Sequence, residues 1–497
     1  MVKKDFAKKR LLFLNKLENS KVPLHYFIIS FCFVFFLRSF LEIFSTKMGA
    51  FSIPTFLHYN LFYISLVISL IILIHLLTKN SFEKITKVIL PFATVVVIPP
   101  IVDLLLTGGN GLEIAYIFPV NFLDWVTRFF TFFGDFNTGI TIGIRVELII
   151  VFIFIFYYFL LKKMSVRKSI LSILAVYFLF FFYLTVPFFY FFKDSYGLDN
   201  VLNLLVIWYY MFLIFIQGVI ILTIKFKKTV RAVIKDIRPF RLVHFELMFV
   251  FGLFLAGNSI FEYPLEITAL FFAIIFAWIF SVMYNNFSDR EIDHISNKHR
   301  PLQNKVNEKE YFLLMALAGA FAIVFSLLVN FISFFLVVLF IGNYFIYSAP
   351  PLRLKRIPLF SKGLIAVNSL ALTCLGFSLI SGTFYDFPFE LFLFILIGFT
   401  FVINFIDIKD YLADKKHKIY TLPVLLGLKN SKKLISIFFV LLYVWAFFIL
   451  NKPFLLLPTI LLIVLQIYSL IRKNYNEKLV FLVYLISLIL FMFFYLN

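Results

Sequence analysis

The feature that most limits this chain is a succession of apolar runs, each long enough to cross a lipid bilayer. A hydrocarbon core about 30 Å thick needs roughly 20 apolar residues in a helix. Lipid offers an exposed backbone no partner, so helices are the default spanning element. Runs of this kind lie at 24–45, 57–78, 88–107, 141–161, 169–192 and 201–224. Nine more lie at 244–261, 265–286, 311–329, 331–349, 362–382, 388–408, 433–450, 453–471 and 478–496. The sequence therefore predicts an all-α polytopic membrane protein with about 15 transmembrane helices. A six-helix module spans 1–224, a basic linker spans 225–241, and a nine-helix domain spans 242–497. A content of 62% hydrophobic and 14% charged residues excludes a soluble globular enzyme and a disordered chain.

The net charge of +20 does not point to nucleic acid here, because the basic residues follow the positive-inside pattern of membrane loops. With the N-terminus in the cytoplasm and strict alternation, 40 of the 46 Lys and Arg fall in inner segments. The other six are Arg38, Lys47, Arg128, Arg145, Lys193 and Lys452. This asymmetry predicts a cytoplasmic N-terminus and a C-terminus on the outer side. The first run is too long for a signal-peptide core and lacks a small-residue cleavage site after it. Two cysteines, Cys32 and Cys374, make neither a disulfide framework nor a zinc site. Residues 108–140 resist the pattern: aromatic, broken by Gly and Pro, they predict an interfacial or re-entrant helix on the outer side.

Two acidic motifs carry the chemistry. Asn285, Asp289 and Asp293 are four apart at the inner end of one predicted helix, so they share a face. Asp407, Asp410 and Asp414 share a face at the inner end of another, running on to Thr421-Leu422-Pro423. Two rows of carboxylates at one membrane face repel one another, and divalent cations between them relieve that. Mg2+ takes one or two carboxylates and completes its octahedron with waters and substrate phosphates. The rows are thus a seat for a diphosphate held through metal. A third motif, Tyr347-Ser348-Ala349-Pro350-Pro351-Leu352-Arg353-Leu354-Lys355-Arg356, ends a helix at its proline pair and places cations at the same face. Arg353, Lys355 and Lys298 supply candidate charge-assisted bonds to phosphate oxygens.

These motifs carry a resemblance. From about Arg238 to the C-terminus the chain resembles the UbiA superfamily of intramembrane prenyltransferases. The likeness rests on Asn285-Asn286-x-x-Asp289-x-x-x-Asp293, on Asp407, Asp410 and Asp414 with the Thr-Leu-Pro tail, on the tyrosine loop, and on Arg238-Pro239. It implies a nine-helix bundle with a central cavity open sideways to lipid. The implied activity is Mg2+-dependent transfer of an isoprenyl group from an isoprenyl diphosphate to a membrane-associated acceptor. By the same resemblance Asn285, Asp289, Asp410 and Asp414 would form the metal-binding core, with Asp293 and Asp407 supporting it. Lys298, Arg300 and Arg353 would contact diphosphate, and Tyr347 would line the cavity near the allylic carbon. Two positions depart from the pattern: Asn286 stands where the family usually has Asp, and Lys418 where many members have Gly. The spacing from Asp293 to Arg300-Pro301 is similar to members that make archaeal ether lipids, chlorophylls or tocopherol-type quinones. The implied acceptor is an aromatic or quinone precursor or a glycerophosphate lipid.

Residues 1–224 carry no such likeness. Arg38 and Glu42 are spaced to pair within one helix, and Asp103, Arg145 and Glu147 lie near span ends. Structural pairing is the reading for each, with a lipid or acceptor-headgroup site as the alternative. Two other functions fit a chain of fifteen spans. A transporter would place ionisable residues near the bilayer midplane, whereas the acidic clusters here sit at the rim. A non-catalytic isoprenoid-binding protein finds support only in Asn286.

Overall fold

The computed structural model describes residues 12–45, 53–112, 115–134, 139–185, 202–257, 262–290, 300–303, 306–417 and 419–496. Among the described residues, fifteen helices are long and apolar enough to cross a membrane. The protein is an integral, multi-pass, all-helical membrane protein. The chain divides into two compact units, Met1–Lys225 and Phe226–Asn497.

The first unit contains α1 (Leu24–Ser45), α2 (Ile53–Thr78), α3 (Phe82–Leu106), α4 (Phe122–Phe130), α5 (Ile142–Leu161), α6 (Val166–Leu184) and α7 (Leu202–Lys225). Ser81, Thr141 and Ser165 begin α3, α5 and α6 by accepting a bond from the N–H three residues on. Within α3, Pro91, Pro99 and Pro100 cannot donate a backbone N–H, and the chain passes through a 3-10 turn at Ala93–Val97. The segment expected to hold an interfacial helix contains the nine-residue α4, capped by Asn121, with Phe122, Leu123 and Phe130 largely exposed. Polar groups in the interior are met locally. Arg38, 1% exposed, pairs with Glu42 one turn on, as the spacing predicts. Asp103 accepts from the Gly143 N–H at 2.9 Å. Arg145 donates to the carbonyls of Phe132 and Ile140, and to that of Gly134 at 3.0 Å.

The second unit opens with a surface helix, α8 (Lys227–Lys235). The spans follow: α9 (Pro239–Ala256), α10 (Pro264–Ser288), α11 (Glu308–Val329), α12 (Phe331–Ser348), α13 (Phe360–Ser381) and α14 (Phe389–Asp407). After the short α15 (Tyr411–Lys416) come α16 (Leu422–Leu450), α17 (Leu456–Ile471) and α18 (Glu477–Leu496). Asn330 caps the start of α12 while its own N–H closes the end of α11, so one residue makes the whole turn.

The most enclosed span is α13, which packs against α9 and α12. A Cβ on Gly252 would stand 1.9 Å from the Thr373 carbonyl, and one on Gly376 would stand 2.1 Å from the Phe249 carbonyl. Only glycine permits this backbone contact, the small-residue packing that membrane helices use in place of a hydrophobic drive. Hydrogen bonds inside the bundle join Asn343 to Asn368 at 2.8 Å, and His244 to Ser369 at 2.8 Å. The irregular span is α14. It runs as α-helix to Leu393, widens into a π-turn at Phe394–Gly398, and tightens into a 3-10 turn at Ile403–Asp407. Turns of this kind inside membrane helices commonly mark functional positions, and this one delivers Asp407 to the site.

Candidate active site

The first acidic row is fixed by the end of α10. Asp289 follows the last helical residue, and its N–H bonds to the Asn285 carbonyl at 2.9 Å. The two side chains therefore stand one turn apart on the same face. The second row is laid out by consecutive turns. The Asp410 N–H reaches the Asp407 carbonyl at 3.1 Å, and the Asp414 N–H reaches the Asp410 carbonyl at 2.9 Å.

Asn285, Asp289, Asp407, Asp410 and Asp414 all line one open cleft. Six cations share its wall: Arg238, Arg241, Arg300, Lys355, Lys362 and Lys409. Trp278, Tyr344 and Tyr347 form its aromatic side. Two residues of the expected set, Asp293 and Lys298, lie outside the described residues.

Asp289, Asp407 and Asp414 each have a basic or hydroxyl partner. Asp289 accepts from Arg353 at 2.8 Å and also from Lys355. Asp407 accepts from Lys362 at 2.7 Å. Asp414 accepts from Thr421, of the Thr-Leu-Pro tail, at 3.4 Å. Asn285 accepts from the Ser348 hydroxyl at 3.1 Å, which ties the tyrosine loop to the first row. Arg353 thus acts on the cleft through Asp289.

Asn286, the departure from the family pattern, is almost fully buried beside this wall. Its amide donates to Asp236, and its carbonyl accepts from Arg238 at 3.1 Å and from Arg300. Asp236 also faces Arg300 at 3.4 Å. A carboxylate absent from the motif is therefore supplied beside it by the segment after α8.

Sequence reasoning did not single out Lys362 or Asp236. Lys362 carries a signal, a charged residue at the first position of a long apolar run, which the positive-inside pattern alone reads as a loop cation. Asp236 had none, because its meeting with Asn286 joins positions fifty apart.

Within the cleft the second acidic row is crowded with like charge. Burial pushes the Asp414 carboxyl up to about 7, and the neighbouring Asp407 and Asp410 push in the same direction. Asp407 Oδ2 is buried with no hydrogen-bond partner. Among the described residues no three His, Cys, Asp or Glu side chains gather around a single metal position. A cation here would rest on one or two carboxylates and take its other ligands from water and phosphate. That is the habit of Mg2+, so the donors present fit that ion.

The sequence profile of the UbiA prenyltransferase family matches residues 247–496. No curated protein matches the chain. Three solved structures show a likeness. A UbiA homolog from Archaeoglobus fulgidus bound to DMAPP and Mg2+ is 18% identical, with a TM-score of 0.43 over 53% of this chain and 97% of that one. The same homolog bound to GPP and Mg2+ is 17% identical, with a TM-score of 0.43 and the same coverage. A digeranylgeranylglyceryl phosphate synthase is 20% identical, with a TM-score of 0.38 over 54% of this chain and 96% of that one. At such scores the assignment rests on the sequence match, which spans half of the residues: the chain belongs to the UbiA prenyltransferase family.

Proposed function

We propose that this protein transfers an isoprenyl group from an isoprenyl diphosphate to a membrane-associated acceptor, in the presence of Mg2+. The observation that carries the reading is the cleft itself, where two rows of aspartates and six cations face one another beside an aromatic wall. Asn285, Asp289, Asp410 and Asp414 would hold the metal, with Asp293 and Asp407 in support. Bound there, Mg2+ supplies Lewis-acid stabilisation of charge on the leaving diphosphate.

The protein's own residues do the rest. Arg300, Lys298, Arg353 and Lys355 orient the diphosphate and meet the charge that builds as the allylic C–O bond breaks. Lys355 lines the cleft and Arg353 stands behind it, both held beside the phosphate seat by Asp289. Tyr347, with Tyr344 and Trp278 beside it, excludes water from the cation-like carbon and turns ring faces toward it. The acceptor then attacks that carbon. Its class is either an aromatic or quinone precursor or a glycerophosphate lipid.

In the same reading the N-terminus and the site loops face the cytoplasm and the C-terminus lies outside. Residues 242–497 carry most of the chemistry, 1–224 form an accessory module, and 225–241 link the two while adding Arg238 and Arg241 to the cleft wall. The test is product mass spectrometry after supplying labelled isoprenyl diphosphate and Mg2+ with a panel of both acceptor classes. A prenylated acceptor that disappears on chelation is expected. Unchanged acceptors with intact diphosphate would remove the proposal.

A further inference from the structure

α7 ends at Lys225 and α9 begins at Pro239, and both are long and apolar enough to span a membrane, so α8 is joined at each end to a candidate span. Its nine residues make a rod about 13 Å long, which cannot carry its side chains far beyond a headgroup layer several ångströms deep. One side of α8 is committed to the protein. Thr229 is buried and donates to Glu310, and Val233 packs with the cluster around Met283 and Tyr311.

The opposite side is different. At 100° per residue, Lys227, Lys228, Arg231 and Lys235 fall within an arc of about 100°. All four are exposed, and none makes an ion pair among the described residues. Ile234, 60% exposed, borders this stripe. Positive-inside sorting counts the cations on one side of a membrane; it does not require them to share one helical face without an acid among them. Glu310 lies on the packed side of the helix with Thr229, and Asp236, which follows the helix, is turned inward to Asn286.

We propose that this stripe on α8 is a docking surface for anionic phospholipid headgroups. Four clustered cations within a Debye length of an anionic leaflet attract it strongly, and Ile234 adds an apolar contact at the acyl boundary. The proposal stands independently of the catalytic reading. Because the chain passes directly from Lys235 to Asp236 and Arg238, which hold Asn286, headgroups gathered here lie beside the wall of the cleft.

The test places a bimane label at Ile234→Cys in the full-length protein, with Cys32→Ser and Cys374→Ser, in phosphatidylcholine nanodiscs. Doxyl-labelled phosphatidylglycerol and doxyl-labelled phosphatidylcholine are compared as quenchers at equal mole fraction. Quenching by the anionic lipid is expected to be at least about threefold stronger. It should fall to parity in about 1 M salt, where the Debye length is about 3 Å. It should also fall to parity when Lys227, Lys228, Arg231 and Lys235 are all changed to Gln. Single changes such as Arg231→Gln, which leave the packed face intact, should each lower it, by up to about fivefold. Equal quenching by both lipids in the parent protein overturns the proposal and would point to an acidic protein partner. So would a preference that survives neutralisation of all four cations, or of Arg231 alone without any decrease.

Discussion

In Met1–Lys225, the pairs Arg38–Glu42, Lys87–Glu83 and Arg128–Asp124 each close one turn of their own helix. In Phe226–Asn497, the pairs Arg241–Glu477, Arg353–Asp289 and Lys362–Asp407 join residues 236, 64 and 45 positions apart. A pair within one turn forms as the helix forms. It neutralises a charge whose insertion alone costs on the order of 2.5–3.5 kcal/mol. A pair between distant segments exists only once the bundle has assembled, and it can be surrendered when a ligand offers better company. Ion pairs in the first unit thus fall mainly within single helices, Lys162–Glu18 being a long-range exception, while several in the second join distant segments at the cleft.

The largest expected effect tests the second half of that contrast. Asp289→Ala and Asp414→Ala should each lower prenyl transfer by at least about a hundredfold, read as labelled product per folded molecule. Full activity in both variants would mean that the cleft is not the site of chemistry.

Lys362→Met comes next. Removing one partner of a buried pair costs about 3–5 kcal/mol, so the melting temperature should drop clearly, and turnover should fall about ten- to a hundredfold. Adding Asp407→Asn should restore much of the stability without restoring turnover. Recovery of both together would class this pair with those of the first unit.

Arg38→Ala probes the other side. It leaves Glu42 buried without its guanidinium, so stability should fall by a few kcal/mol, while turnover per folded molecule stays within about twofold. Combining Arg38→Met with Glu42→Gln should recover the stability. A large loss of turnover in the stable double variant would give the first unit a part in the chemistry. The smallest effect is expected from a chain beginning at residue 226, which should retain most of its prenyl transfer by the same product assay.

The span count was legible because hydrophobic length is a local property, and the two aspartate rows because four-residue spacing is local as well. Span ends were less so. The run expected to begin at 433 starts at Leu422, with a non-helical Gly427 inside it, because Lys429, Lys432 and Lys433 break the apolar signal without breaking the helix. The run expected from 244 starts at Pro239, since Arg241 turns to Glu477 and the cleft. The prolines of α3 announce its irregularity, whereas Phe394–Gly398 contains no residue that foretells a π-turn. Asp236 and Lys362 entered the site through contacts between distant segments, which no spacing rule reaches.

That π-turn sets the angular phase of everything after it on α14. It holds one residue more than a regular helical turn would, and each residue of helix advances the direction of its side chain by about 100°. Because the extra residue is taken up within that one turn, deleting a residue from Phe394–Gly398 would let the helix close regularly with Asp407 still facing Lys362, whereas a deletion in Phe399–Val402 would turn Asp407 aside by about 100°. A one-codon deletion is therefore tolerated better inside the π-turn than in the regular helical turn that follows it.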